Sequence, residues 1–214
     1  MEKSMKLYNG ATRTLSVIIK ALFRVKVIGA ENENTIDLKS TIFCANHMSN
    51  WDPVILACVT KNPISFMSKA ELFKIPVLGG LLKAVGAFPI NRGIGDIAAI
   101  KTTLELLKNE NNICLFPQGK RCLGEKPSST EVKNGIGLFI GRSKSCVIPV
   151  GIYTKDYRVK LFKRVYVVIG KPMAYEDFGF VDNSKEEYKA ASDKVFSEIC
   201  ALAERAENGE FEKK

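Results

Sequence analysis

The chain has 214 residues, 46% of them hydrophobic and 26% charged, which is enough apolar material for a buried core and too ordinary a charge content for a disordered or fibrous protein. Thirty-two Lys and Arg stand against 23 Asp and Glu, a formal net charge of +9, so the molecule is drawn to something anionic: a phosphorylated substrate, a bilayer surface or a nucleic acid. Nucleic acid is the least supported, because there is no zinc-finger spacing, no aromatic sheet motif and no run of five basic residues.

Residues 5–23 place Leu7, Ala11, Leu15, Ile18, Ile19 and Leu22 at three- and four-residue intervals, with Lys6, Arg13 and Lys20 projecting elsewhere. This predicts a basic amphipathic helix, suited equally to a bilayer surface and to the domain's own core. Strands are expected at Phe23–Gly29, Ser40–Ala45, Ile64–Ser68, Ile113–Phe116, Cys146–Ile152, Arg158–Phe162 and Arg164–Ile169. Helices are expected at Pro53–Val59, capped by Asp52, at Pro76–Val85, and at Asp96–Lys108, where Ile97, Ile100, Leu104 and Leu107 share a face. The last two strands, with only Lys163 between them, predict a hairpin. A final helix over 184–207 carries Tyr188, Ala191, Val195, Ile199 and Leu202 on one side, and the polar tail beyond it is expected to fray.

The alternation predicts an α/β layered single domain with a mostly parallel mixed sheet flanked by helices. Its expected divisions are an N-terminal membrane-surface segment (1–23), a main domain (24–206) and a polar tail (207–214). Six scattered cysteines without a C-x-x-C pair indicate a reduced, cytosolic-side protein. With His47 the only histidine, metal ligation is unsupported, and no metal or cofactor is expected. Lys20 and Arg24 interrupt any signal-peptide core, and no stretch of ~18 apolar residues occurs, so membrane contact is expected to be peripheral, on the cytoplasmic side.

Three segments carry chemistry. Asn46-His47-Met48-Ser49-Asn50-Trp51-Asp52-Pro53 follows a strand, where open α/β sheets gather their ligands. A histidine there can take a proton from a hydroxyl while a carboxylate holds its other nitrogen. The same residues also suit an ordinary helix start, with Asp52 as cap, Pro53 as first helical residue and His47 bonding backbone. Gly86–Gly93 sets Arg92 in a turn-rich stretch before a helix, able to grip phosphate or simply to sit in solvent. Leu115–Arg121 leaves a strand with Gln118, Gly119, Lys120 and Arg121, a set suited to a phosphate or polar headgroup and equally to a solvated turn.

Together the segments resemble the lysophosphatidate acyltransferase family, the 1-acylglycerol-3-phosphate O-acyltransferases, whose blocks N-H-x-S-x-x-D, a Gly/Phe-rich block ending in Arg, F-P-E-G-x-R and V-I-P-V fall here at Asn46–Asp52, Gly86–Gly93, Phe116–Arg121 and Val147–Val150. The resemblance implies His47 as general base with Asp52 orienting it, Arg92 and the Phe116–Arg121 loop as the glycerol-phosphate site, and Pro149 as a shaper of the site or acyl groove. Met67, Ser68, Lys69 and Glu71 resemble the stretch between the first two blocks, without an assigned role. Gln118 replaces the family's Glu, which keeps hydrogen bonding and removes charge, so it bears on the acceptor more than on the reaction class.

The reaction implied is direct transfer of an acyl chain from acyl-CoA or acyl carrier protein to a lysophospholipid at an anionic membrane surface, with no nucleic acid involved. Neither a Gly-x-Ser-x-Gly elbow nor a cysteine with a second histidine is present. Glycerol 3-phosphate or another lysolipid as acceptor, and a non-catalytic lipid-binding module, stand as alternatives.

Overall fold

A computed structural model describes residues 15–35, 39–76, 78–84, 86–90 and 97–212. Helix α1 (residues 15–22) leads into β1 (Lys26–Ile28). Then follow β2 (Ile42–Ala45), α2 (Asp52–Val59), β3 (Ile64–Lys69), α3 (Leu78–Ala84), β4 (Ala87–Ile90), α4 (Ile97–Lys108), β5 (Asn112–Leu115), α5 (Gly135–Ser143), β6 (Val147–Thr154), β7 (Val165–Ile169) and α6 (Lys185–Glu207). The seven strands form one sheet in the order β1-β7-β6-β2-β5-β3-β4. Every neighbouring pair is parallel except β6 and β7, so the sheet is mixed and mostly parallel, as expected.

β2 lies at the centre and is buried on both faces, the usual lot of a parallel strand with helices on either side. Its alternation divides the core: Phe43 and Ala45 pack with α1 and α2, whereas Ile42 and Cys44 pack with α4, α5 and α6. α6 starts with a capping box, Ser184 Oγ accepting from the Glu187 N–H and the Glu187 carboxylate from the Ser184 N–H. Tyr188, Ala191, Val195, Ile199 and Leu202 are all buried. On α4, Ile100, Leu104 and Leu107 meet the core, but Ile97 is exposed.

The structure departs from the sequence reading in several places. No strand forms over 158–162; the antiparallel pair is β6 with β7, joined by residues 155–164. β6 and β7 already have partners on both sides, so the basic segment between them has no edge to join. Conversely, Ala87–Ile90 is a strand in a stretch read as turns; it lies at the sheet edge, where the missing N–H of Pro89 is tolerated. Helix α5 was not expected, because glycines 135, 137 and 141 weaken its propensity. Gly137 is there for proximity: a Cβ would sit 2.0 Å from the Tyr188 carbonyl oxygen of α6. Past α6 the chain does not fray through residue 212: Arg205 pairs with Glu210, and Lys26 donates to the Phe211 carbonyl.

One side of α1 packs on the domain. Leu15, Ile19, Leu22 and Phe23 pack on the core, while Val17 and Ile18 are exposed beside Lys20 and Arg24. Residues 1–14 lie outside the described residues, and with them Leu7, Ala11, Lys6 and Arg13.

Candidate active site

β2, β5 and β6 run in the same direction, so the loops after them meet at one end of the sheet. Asn46 ends β2 by continuing its pairing through a side chain: its amide donates to the Ile152 carbonyl at 2.9 Å and accepts the Ile152 N–H at 2.7 Å. The next residue, His47, is thereby held at the sheet rim, and its carbonyl accepts the Cys122 N–H at 2.8 Å.

His47 Nδ1 lies 2.8 Å from Asp52 Oδ2. The same oxygen accepts the Met48 and Ser49 N–H groups, each at 2.7 Å. Asp52 is therefore not the helix cap that the sequence equally suggested. It is the first residue of α2, the preceding position is Trp51, and no side chain caps the helix; the carboxylate turns back onto the histidine loop. It is fully buried, and the His47 side chain is 17% exposed. Its Oδ2 thus meets three nitrogens, two of the backbone and one of the ring. With Nδ1–H committed to Asp52, the second ring nitrogen carries the lone pair needed for a base.

Two residues of the β5 loop complete the arrangement. Phe116 stacks on the imidazole, ring centroids 4.1 Å apart and planes 21° from parallel, which restricts the ring's orientation. Gln118 is buried; its Oε1 accepts the His47 N–H at 2.6 Å and its Nε2 donates to Thr130 Oγ1 at 2.8 Å. The amide thus faces protein, and its place is behind the histidine. Gly119 adopts φ +64° in the turn closed by its N–H on the Phe116 carbonyl, with the Lys133 side chain where a Cβ would go.

Lys120 and Arg121 are exposed. Arg121 lines a cleft with Met48, Ser49, Asn50, Trp51, Leu123 and Val159, so a guanidinium and apolar side chains share one opening next to the histidine loop. Arg92 lies outside the described residues; β4, which ends at Ile90, is three strand positions from β2. Pro149 is inside the sheet, in register with Cys44, and its carbonyl accepts the Gly170 N–H. Met67, Ser68 and Lys69 end β3, and Glu71 follows in a short 3-10 turn.

All six cysteines are free thiols. Burial pushes Cys58, Cys146 and Cys200 up to about 11 and raises Cys44, Cys114 and Cys122 as well. Thiols so protonated at neutral pH are poor nucleophiles.

A histidine with a buried carboxylate behind it and a cationic, partly apolar cleft beside it fits acyl transfer, and the family model described as Acyltransferase matches residues 24–153. The chain belongs to the acyltransferase family. This acyltransferase is 30% identical over 200 residues to the 1-acyl-sn-glycerol-3-phosphate acyltransferase of Bacillus subtilis, covering 92% of this chain and 96% of that one. It is 36% identical over 112 residues to the lyso-ornithine lipid O-acyltransferase of Pseudomonas aeruginosa, covering 52% of this chain and 39% of that one. The crystal structure of a 1-acyl-sn-glycerophosphate acyltransferase from Thermotoga maritima shares its fold, with a TM-score of 0.64 at 20% identity over 92% of this chain and 80% of that chain.

Sequence reasoning missed Asn46 and Phe116 as supports of His47, although both lie within the blocks it singled out. Thr130 carries no signal at all, because only the fold brings it to Gln118.

Proposed function

We propose that this acyltransferase moves a fatty acyl group from an acyl thioester, acyl-CoA or acyl carrier protein, to the free hydroxyl of 1-acylglycerol 3-phosphate, giving phosphatidate. The observation that carries the reading is the His47 Nδ1 to Asp52 Oδ2 contact of 2.8 Å beside a cleft containing Arg121. The acceptor hydroxyl loses its proton to His47 as its oxygen attacks the thioester carbonyl. The tetrahedral intermediate then expels the thiolate, which takes the proton from the imidazolium. Asp52 holds the ring and balances its transient charge. Arg121, Lys120 and Arg92 meet the phosphate, and Gly119 shapes the turn that presents the two cations. Gln118 serves the acceptor indirectly, through the histidine backbone.

The similarity to the Bacillus subtilis enzyme supports this acceptor. The similarity to the lyso-ornithine lipid enzyme supports a second reading, another lysolipid as acceptor. No described helix is long and apolar enough to cross a membrane. The exposed Val17 and Ile18 with neighbouring Lys20 and Arg24 suit a peripheral stance on an anionic leaflet, with residues 1–23 as its surface segment.

The test is release of free thiol from acyl-CoA or acyl carrier protein by the purified protein, with and without 1-acylglycerol 3-phosphate. Release that depends on that acceptor is expected. Release only with a lysolipid lacking phosphate selects the second reading, and no release with any acceptor rejects the enzyme assignment in favour of a lipid-binding module.

A further inference from the structure

The segment between β6 and β7 is exposed, basic and apolar at once. Arg158-Val159-Lys160-Leu161-Phe162-Lys163-Arg164 holds four cations and no acid, and all but Val159 are exposed. Leu161 is 53% and Phe162 65% accessible. Phe162 also sits at φ +62°, a conformation bulky residues rarely adopt. Two contacts tether the segment, one of them at Phe162 itself. The Phe162 N–H donates to the Leu22 carbonyl at the end of α1, and the Gly124 N–H donates to the Tyr157 carbonyl, with the Arg158 side chain lying over Gly124.

Strand direction places this segment. β6 is parallel to β2, so its end at Thr154 is at the same end of the sheet as His47. Val159 reaches the cleft that holds Arg121, Trp51 and Leu123. Trp51 and Leu123 are themselves 40% and 55% accessible, and Val17 and Ile18 of α1 are exposed as well. Apolar side chains ringed by cations, with no acidic side chain in the segment, complement an anionic lipid leaflet.

We propose that residues 158–164 are a membrane-inserting loop for anionic lipid, with Leu161 and Phe162 entering the acyl boundary while Arg158, Lys160, Lys163 and Arg164 meet the headgroups. Docked this way, the cleft opens against the leaflet, and a lysolipid enters sideways without leaving lipid. The inference rests on the acceptor being a membrane lipid, but binding to vesicles is read without turnover, so the two fail separately.

The experiment is partition of the full chain onto vesicles of phosphatidylglycerol and phosphatidylcholine, against phosphatidylcholine alone. Emission of Trp51, the one tryptophan of the chain, reports whether the cleft mouth meets lipid. Anionic vesicles should bind the protein and shift this emission to the blue. L161S/F162G should weaken binding about 30-fold; glycine suits the φ at 162, so the fold is kept. K160Q/K163Q should cost about as much at low salt and little at high salt. V181S, which alters an exposed apolar side chain in the loop before α6, serves as the control and should bind as wild type. Unchanged binding by L161S/F162G, or equal wild-type affinity for neutral vesicles, overturns the proposal. So does a rise in KM for acyl carrier protein alone in the K160Q/K163Q variant with vesicle binding intact, which would make the loop a dock for an acidic protein.

Discussion

The loops after β2 and β5 and the loop after β6 emerge from the same end of one sheet, yet they are built oppositely. In the first pair, polar groups are committed inward: the Asn46 amide to β6, the Asp52 carboxylate to His47 and two N–H groups, the Gln118 amide to His47 and Thr130. In the second, cations and apolar side chains face outward on a backbone with a left-handed phenylalanine. Chemistry needs a base held still, and buried hydrogen bonds do that at low entropic cost once the fold has formed. A lipid surface needs contact area, and exposed side chains supply it.

Substitutions separate the two constructions. The largest expected effect is from His47→Ala, which should lower acceptor-dependent thiol release about 10³-fold while the fold is retained, with some loss of melting temperature because the buried Asp52 carboxylate loses its ring partner; a rate near wild type ends the general-base assignment. Arg121→Ala should cost about 1.5–3 kcal/mol in kcat/KM for a phosphate-bearing acceptor, and an equal loss with a neutral lysolipid would make Arg121 structural. Gln118→Leu leaves the His47 N–H without its acceptor and should lower unfolding stability by about 1–3 kcal/mol, with a loss of rate. Urea denaturation at matched pH measures the first and thiol release the second. Gly137→Ala should destabilise by a similar 1–3 kcal/mol through overlap with Tyr188, but the rate per folded molecule should hold, since α5 lies across the sheet from α2. Smallest is Gln118→Glu, expected to change stability by less than about 1 kcal/mol because the carboxylate can accept from both the His47 N–H and a rotated Thr130 hydroxyl. A large loss would show that the Thr130 hydroxyl cannot turn from the Pro127 carbonyl it now meets.

Local chemistry was readable wherever the physical cause is local. The α6 stripe, the strand at β2 and the spacing of His47 and Asp52 all act within a few residues, so the sequence by itself determined the α/β class, the strand-end histidine and the cationic loop that follows β5. Distant contacts were not readable. Whether Asp52 caps its helix or holds His47 is decided by the loop's return path. Whether 158–162 forms a strand is decided by β1 and β2, which occupy the free sides of β7 and β6. Gln118 reads as a ligand for substrate until the fold sets Thr130 and the His47 N–H against its two ends. Only tertiary structure decides these points, because hydrogen-bond partners far apart in sequence leave no periodicity along it.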